Sequence, residues 1–249
     1  MKQLLLAATS LVFLASCATR LASDPPPGLP AQISAPEIQV GDSWRYAVSD
    51  GFTRLSRGTV EYRVRAIEGD TVTVDVIAND RHHTELFTRD GSWLRRPATN
   101  LQEFAYNPPY RAFDFPLAAG KEWSARTIAT DPADGRSFPV GIRGRVLGWE
   151  RVRVPAGEFD ALKVHRRVYF EYWVPVYRGQ SVIDETDWYA PSVGQVVKSE
   201  TNSKFLRFAG IRPPGFVRVS DGDHSNDDVM PRYEQDEWLV YELLGPGER

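Results

Sequence analysis

The sequence predicts an all-β protein whose antiparallel meanders form a curved sheet, a half-barrel or a sandwich. From residue 38 onward, apolar and polar side chains alternate with a period of two. Turns that contain Gly or Pro separate the alternating runs. No stretch of this region shows a long helical period. Many short strands joined by regular turns are typical of sandwiches and barrels.

The clearest element is a hairpin over residues 58–78. In "GTVEYRVRAI" and "TVTVDVIA", apolar residues occupy every second position on both sides of the turn Glu68-Gly69-Asp70. The predicted inward residues are Val60, Tyr62, Val64, Ala66, Val72, Val74 and Val76. Because the alternate positions are polar, the pattern predicts two antiparallel strands with one face in water.

Further strands follow in chain order. Residues 81–96 predict a strand, a turn and a short strand, and residues 121–130 predict another strand. Residues 106–117 are not expected to form a central strand, because Pro108, Pro109 and Pro116 lack ladder donors. Residues 142–174 predict two long strands around Pro155-Ala156-Gly157, and residues 181–208 predict a hairpin around residues 191–194. Residues 236–244 fit a strand or a short helix, within a C-terminal region (212–249) expected to be partly loop.

A short internal repeat links the two parts of this region. "VGDSWRYAV" (40–48) is similar to "AGKEWSART" (119–127), and both contain a small residue, Gly, a charged residue and Trp at the same spacing. A turn and a hairpin follow each copy. The similarity indicates either two weakly related halves or a chance match.

The N-terminus predicts export and lipid attachment. Residues 1–16 contain Lys2, an apolar run and small residues before Cys17, which is the layout of a cleaved signal peptide. "LASC" resembles the lipobox of bacterial lipoproteins, which implies cleavage before Cys17 and acylation of that residue. Residues 17–37 are then a lipidated Cys and a Pro-rich tether, or an arm that lies on the domain; both interpretations leave it outside the core. The β-rich globular domain is expected over 38–249.

Composition excludes several function classes. The formal net charge of −3 provides no basic surface for nucleic acid, so no nucleic-acid partner is expected. The single cysteine cannot form an internal disulfide, and its attachment to lipid removes thiol chemistry. The nucleophile elbow G-x-S-x-G, the P-loop and the dinucleotide motif G-x-G-x-x-G do not occur in the sequence, and no cofactor is expected.

Three stretches of the domain resemble a group of uncharacterised bacterial envelope proteins of the domain-of-unknown-function type. They are "VGDSWRY", "VPAGEFDALKVHRR" and "ETDWYAPSVGQVVKSE", and the resemblance spans about residues 38–205. Members of the group are often secreted or lipidated. The resemblance implies a β-rich fold and brings no catalytic residues.

The most suggestive candidate for ligand binding is "VYFEYWVPVY" (168–177). Aromatic residues occur on both faces of this predicted strand, with Tyr169, Glu171 and Trp173 on one of them. Such a strand either lies between two packed layers or forms the ligand-facing wall of a half-barrel. Phe113, with Arg111 and Phe115 in the Pro-rich loop, is a candidate lid residue.

The sequence patterns that could form a metal or catalytic site each lack a required residue or have a more ordinary explanation. His82, His83 and Glu85 supply only two ligands on one strand face, too few for a zinc site. "DGDHSNDD" (Asp221–Asp228) has the 1, 3, 5, 7 spacing of a calcium loop but places Arg232 where a Glu is required, so a flexible acidic loop is favoured. Glu185 and Asp187 share a strand face, where cross-strand ion pairs are favoured over a glycosidase pair.

The sequence therefore predicts a membrane-anchored envelope lipoprotein that binds rather than catalyses. Its partners would be the bilayer, through acylated Cys17, and a hydrophobic or glycan ligand or a protein. The alternative is an envelope hydrolase that uses acidic and histidine residues. Ala18 after the cysteine, in place of Asp, indicates the periplasmic face of the outer membrane if the cell is Gram-negative.

Overall fold

The computed structural model describes residues 23–79, 81–97, 103–174, 177–207 and 232–246. Within these ranges it contains twelve β-strands and no helix. Their bounds are β1 Ser43–Asp50, β2 Ser56–Glu68, β3 Thr71–Ala78, β4 Arg81–Thr88, β5 Trp93–Pro97, β6 Glu103–Tyr110, β7 Glu122–Thr130, β8 Ser137–Val154, β9 Gly157–Val174, β10 Tyr177–Ala190, β11 Gln195–Arg207 and β12 Arg232–Pro246. No helix in the described part of the chain is therefore long and apolar enough to cross a bilayer.

The twelve strands form a closed antiparallel barrel. Each strand pairs with the next strand in the chain, and β1 pairs with β12 to close the sheet. The closing ladder runs from Trp44 opposite Pro246 to Asp50 opposite Leu239. The predicted all-β, antiparallel class is confirmed, but the sheet is neither open nor a sandwich. Closure pairs the backbone groups of the two terminal strands, which would otherwise form exposed edges.

The predicted β2–β3 hairpin is confirmed, but the predicted inward position of Ala66 is wrong, because β2 shifts register after Val64 and Ile67 packs against the core instead. Val60, Val64, Val72, Val74 and Val76 are all buried inside the barrel. The C-terminal stretch that fitted a strand or a helix is a strand, β12. The Pro-rich stretch differs from expectation, since β6 extends to Tyr110. However, its ladder with β7 ends at Asn107, immediately before the two prolines.

The two copies of the sequence repeat begin β1 and β7 and occupy equivalent places in the barrel. Gly41 and Gly120 have positive φ angles of 95° and 82°. The Gly41 amide donates to the Val64 carbonyl at 2.9 Å, and the Gly120 amide donates to the Val146 carbonyl at 2.8 Å. In both places the adjoining strand shifts register directly after the valine. The repeated sequence therefore forms the same corner of the barrel twice, six strands apart.

The N-terminal arm (residues 23–42) packs against the barrel, contrary to the expectation that residues up to 37 lie outside the core. Ile33 is 5% exposed and forms an antiparallel bridge with Leu117. The two residues exchange both backbone hydrogen bonds at 2.8 Å. They belong to one apolar cluster with Trp123, Trp149 and Leu162. The arm therefore contributes an apolar residue, Ile33, to the core. The Pro-rich composition of the arm gives no indication of this contact.

The second copy of the repeat depends on a glycine, and this gives a test of the fold. Trp123 lies opposite Gly144, where a Cβ would fall 2.1 Å from the Trp123 ring. Gly144→Ala is expected to destabilise the protein by about 1–3 kcal/mol, because the ring must move. Gly141→Ala is the control on the same strand, since its Cβ meets no atom within 4 Å. Denaturant unfolding of both variants checks this, and equal midpoints would contradict the packing.

Candidate binding cavity

A cavity of about 240 Å³ lies inside the barrel. Inward-facing residues of nine strands line it, and none of these strands is β6, β7 or β8. Packed aromatic and aliphatic side chains fill the barrel beside β6–β8, including Phe104, Phe138 and Phe170. The interior is therefore solid on one side and open on the other.

Aromatic rings make up much of the cavity wall. They come from strands on both sides of the barrel closure and from the β6–β7 loop. The nine rings are those of Trp44, Tyr46, Tyr62, Phe87, Trp93, Phe113, Phe115, Tyr189 and Tyr241. Such a wall offers large flat apolar surfaces with a few polar tips, which is the usual composition of a small-molecule site.

One side of the cavity holds a buried ionic group, the Arg166 cluster (Arg166, Glu185, Asp187 and Tyr110). The Arg166 guanidinium lies 2.8 Å from a Glu185 oxygen and 2.6 Å from an Asp187 oxygen. It also donates to the Ala112 carbonyl at 3.0 Å, and the Tyr110 hydroxyl donates to Glu185 at 2.7 Å. The three charged residues are each at most 5% exposed. The predicted cross-strand ion pairs of Glu185 and Asp187 are thus present, but inside the barrel.

The strand register explains how this cluster is assembled. Arg166 of β9 lies directly opposite Glu185 of β10, and Asp187 is two residues further along the same face. Burial alone would lower the pKa of Arg166, but the Asp187 and Glu185 carboxylates outweigh it and hold that pKa well above its ordinary value. The guanidinium therefore stays charged in the interior.

A second ionic group, the Arg96 cluster (Arg96, Glu85 and His83), is formed by residues of β4 and β5. Glu85 is 2% exposed and lies 3.1 Å from the His83 ring and 3.5 Å from Arg96. The Arg96 guanidinium is 4.1 Å from the centre of the Trp93 ring. Within the described part of the chain, Glu85 Oε2 and Arg96 Nε are buried without a hydrogen-bond partner. Such atoms are uncommon in folded proteins and call for an explanation.

The tyrosines around these clusters stay protonated. Burial raises the pKa of Tyr189 to about 12. It also raises the pKa of the other interior tyrosines above the ordinary value, namely Tyr46, Tyr62, Tyr106, Tyr110 and Tyr241. Their hydroxyl groups are therefore available as neutral hydrogen-bond donors, as Tyr46 shows by donating to the Val196 carbonyl at 2.8 Å.

These shifts predict alkaline destabilisation. The folded state keeps tyrosine protons that the unfolded chain releases near pH 10, so stability is complete below about pH 10 and falls as the pH rises toward about 12. Urea midpoints measured between about pH 8 and pH 11.5 check the fall. Tyr189→Phe is expected to make it shallower, because the variant loses one of the shifted groups. A midpoint that stays constant across this interval would contradict the expectation.

The structure separates the predicted ligand-binding residues. Phe113 lines the cavity, and the centre of its ring lies 5.2 Å from the Arg166 guanidinium. Tyr169 lies on the outer face of β9, half-buried, with the Arg143 guanidinium 5.8 Å from its ring centre. Glu171 follows on that same outer face. The side chain of Trp173 lies outside the described residues. Tyr169 thus lines an outer groove with Arg143 and Arg167 rather than the cavity wall.

The remaining sequence candidates are distributed as follows. Phe115 of the proposed lid lines the cavity, whereas Arg111 is half-exposed and paired with Asp114. His82 is exposed, while His83 and Glu85 belong to the Arg96 cluster. The Asp221–Asp228 loop lies outside the described residues. Among the residues that are described, no group of three or more His, Cys, Asp or Glu is arranged to hold a metal ion.

Among the charged residues of the two interior clusters, Arg166 and Arg96 are the ones that are not candidates from the sequence. A signal for Arg166 exists in "VHRRV" (164–168), where period-two alternation places it on the same face as the buried Val164 and Val168. Arg96 has no comparable signal, because β5 is only five residues long.

Comparisons with known proteins give structural neighbours only. No protein-family model matches the chain, and no curated protein matches it. An inferred lipoprotein from Parabacteroides distasonis aligns with a TM-score of 0.46 and 16% identity over 88% of this chain and 100% of its own. An inferred exported protein with a YmcC-like fold from Bacteroides fragilis aligns with a TM-score of 0.46 and 14% identity, over 87% and 100%.

The hypothetical lipoprotein YmcC from Escherichia coli aligns with a TM-score of 0.41 and 13% identity, over 84% of this chain and 86% of its own. Similarity at this level carries no inference about what the protein binds. The resemblance to the uncharacterised envelope group stays a prediction.

Proposed function

We propose that the protein is a lipid-anchored envelope protein whose barrel binds a small hydrophobic or glycan ligand without catalysis. The observation that carries this proposal is the central cavity, with its nine aromatic rings and buried charged groups. Its volume equals that of about eight liquid water molecules at ~30 Å³ each, so it suits a small ligand or one end of a larger one.

The location rests on the N-terminal sequence. After cleavage of residues 1–16, acylated Cys17 would hold the protein at the bilayer, on the periplasmic face of the outer membrane in a Gram-negative cell. Each buried CH₂ group adds about 0.8 kcal/mol of membrane affinity, so several acyl chains make a durable anchor. The barrel would then act close to a membrane surface.

An envelope hydrolase is the second candidate, and one observation favours it. His83, Glu85, Glu185 and Asp187 all belong to the two interior clusters rather than to the outer surface. A glycosidase needs one carboxyl group that donates a proton and one that is free to act as base or nucleophile. Here both Glu185 and Asp187 contact the Arg166 guanidinium, so neither carboxylate is free to act as base or nucleophile. This arrangement supports binding more than catalysis.

Native mass spectrometry of the full-length protein, extracted from its host in mild detergent, tests the binding function. A co-purifying mass is expected in the wild type. Thr201→Phe, which places a ring in the cavity, is expected to lose that mass. Thr73→Phe is the matched control, since Thr73 lies on β3 between the inward Val72 and Val74 and therefore faces outward. Equal retention in both folded variants, or a clean wild type, would contradict the proposal.

The anchor has its own test. Cys17→Ser is expected to abolish incorporation of labelled fatty acid and to move the protein from the membrane fraction to the soluble fraction. A fluorescence spectrum that matches the wild type would show that the barrel still folds. Membrane association that survives the substitution would refute lipidation at this cysteine.

A further inference from the structure

We propose that the ligand of the central cavity carries a positively charged ammonium group. This inference rests on the proposed binding function and deepens it by assigning the charge of the ligand. Two features of the wall support it, namely an excess of carboxylates and aromatic faces that already hold cations.

The charges that line the cavity are predominantly negative. Four carboxylates contribute to the wall against two guanidiniums: Glu185 and Asp187 are buried, Glu237 is partly buried, and Asp90 lies in the exposed β4–β5 turn. Neither guanidinium is free. Arg166 contacts both Glu185 and Asp187, and Arg96 contacts Glu85, a further carboxylate close to the wall. The wall therefore carries more negative than positive groups around a largely apolar space. This charge balance disfavours an anionic ligand and favours a cationic one.

The aromatic wall suits the same charge. The face of an aromatic ring attracts a cation within about 6 Å of its centre, and this attraction is largest where water is excluded. The cavity already contains two such contacts, Arg96 over Trp93 at 4.1 Å and Arg166 over Phe113 at 5.2 Å. Further rings, including those of Tyr62 and Tyr241, line the same space. Rings combined with carboxylates form the type of cage that recognises substituted ammonium groups.

The buried acceptor at Glu85 is a third, independent observation. Glu85 is 2% exposed, and its Oε2 atom accepts no hydrogen bond within the described part of the chain. The Arg96 Nε atom, 3.5 Å away, is equally without a hydrogen-bond acceptor. The pair is therefore under-satisfied at the cavity wall, and Glu85 keeps acceptor capacity that a neighbouring N–H or O–H donor can use.

Three probes of similar branched shape test the charge preference. They are choline, its neutral isostere 3,3-dimethyl-1-butanol and the anion 3,3-dimethylbutanoate, measured by calorimetry with the detergent-solubilised full-length protein. Choline is expected to bind at least 10-fold more tightly than the neutral isostere, and the anion is expected not to bind. Equal affinity for choline and the isostere, tighter binding of the anion, or no binding of any probe would overturn the proposal.

A pair of variants tests whether the preference for choline arises from the carboxylates of the cavity wall. Glu237→Gln removes one lining carboxylate and is expected to weaken choline binding by about 3- to 10-fold while leaving the neutral isostere unchanged. Glu242→Gln, on the outward side of the same strand, is expected to bind choline as the wild type does. An equal effect of both variants would contradict a site in the cavity.

These experiments distinguish an incorrect ammonium assignment from the absence of a binding site in the cavity. If native mass spectrometry shows a neutral or anionic ligand that Thr201→Phe displaces, the cavity binds a ligand but the ammonium assignment is wrong. If no ligand co-purifies and Thr201→Phe leaves choline binding intact, the cavity itself is not the site.

Discussion

Replacing Arg166 by Met is expected to destabilise the folded protein by about 3–5 kcal/mol. The substitution leaves the buried carboxylates of Glu185 and Asp187 without their cation, and each of them is at most 5% exposed. It also removes the hydrogen bond to the Ala112 carbonyl. Urea unfolding, followed by tryptophan fluorescence, measures the change in the free energy of unfolding.

The adjacent residue provides a matched control. Arg167 also pairs with a carboxylate across the β9–β10 ladder, Asp184 at 2.8 Å, but its side chain is 50% exposed. Arg167→Met is expected to cost less than about 1 kcal/mol, because water screens the pair and solvates the remaining carboxylate. If the two substitutions lower the free energy of unfolding by the same amount, burial of the Arg166 cluster does not account for its contribution to stability.

A triple variant separates pairing from charge burial. Arg166→Met combined with Glu185→Leu and Asp187→Leu removes all three charges together. It is expected to recover much of the lost stability, because an apolar core of similar volume replaces a buried ion group without leaving an unpaired charge. Stability close to that of the wild type, with choline binding lost, would indicate that the cluster is retained for the cavity rather than for the fold.

The fold was predictable as far as local alternation determines it. Period-two patterns correctly assigned the faces of β3, of β2 as far as Val64, and of residues 168–170 in the second half of β9, since Val168 and Phe170 are buried and Tyr169 is only half-buried. Beyond Val64 the pattern is wrong for Ala66, because β2 shifts register there. Alternation assigns a face to each residue but no partner to each strand. The pairing of β1 with β12 joins segments at opposite ends of the domain, so barrel closure has no local signal.

The candidate site was predictable in part, for a related reason. Glu185 and Asp187 were correctly placed on one strand face. Arginine is usually exposed, and a buried one becomes recognisable only when its carboxylate partners are known. Tyr169 was a candidate for ligand binding because β9 has aromatic residues on both faces. However, Phe170 is the residue that points inward there, and it packs on Phe104 and Phe138. Aromatic content alone does not separate core from cavity.

The N-terminal arm gives the second large effect. Ile33→Ala and Leu117→Ala are each expected to destabilise the protein by about 2–5 kcal/mol, because both side chains are at most 5% exposed within one apolar cluster. A free tether would predict almost no effect at Ile33. Val40→Ala is the control within the same arm, since Val40 is 62% exposed and its truncation should change stability by less than about 0.5 kcal/mol.

The double variant decides whether the arm and the β6–β7 loop stabilise each other. Ile33 and Leu117 exchange two backbone hydrogen bonds and share their apolar surroundings. Once either side chain is truncated, the other has less to pack against, so the combined loss should fall short of the sum by about 0.5–3 kcal/mol. Strict additivity would mean that the two residues act independently. Coupling would mean that the N-terminal arm also fixes the β6–β7 loop, which carries Phe113 and Phe115 into the cavity.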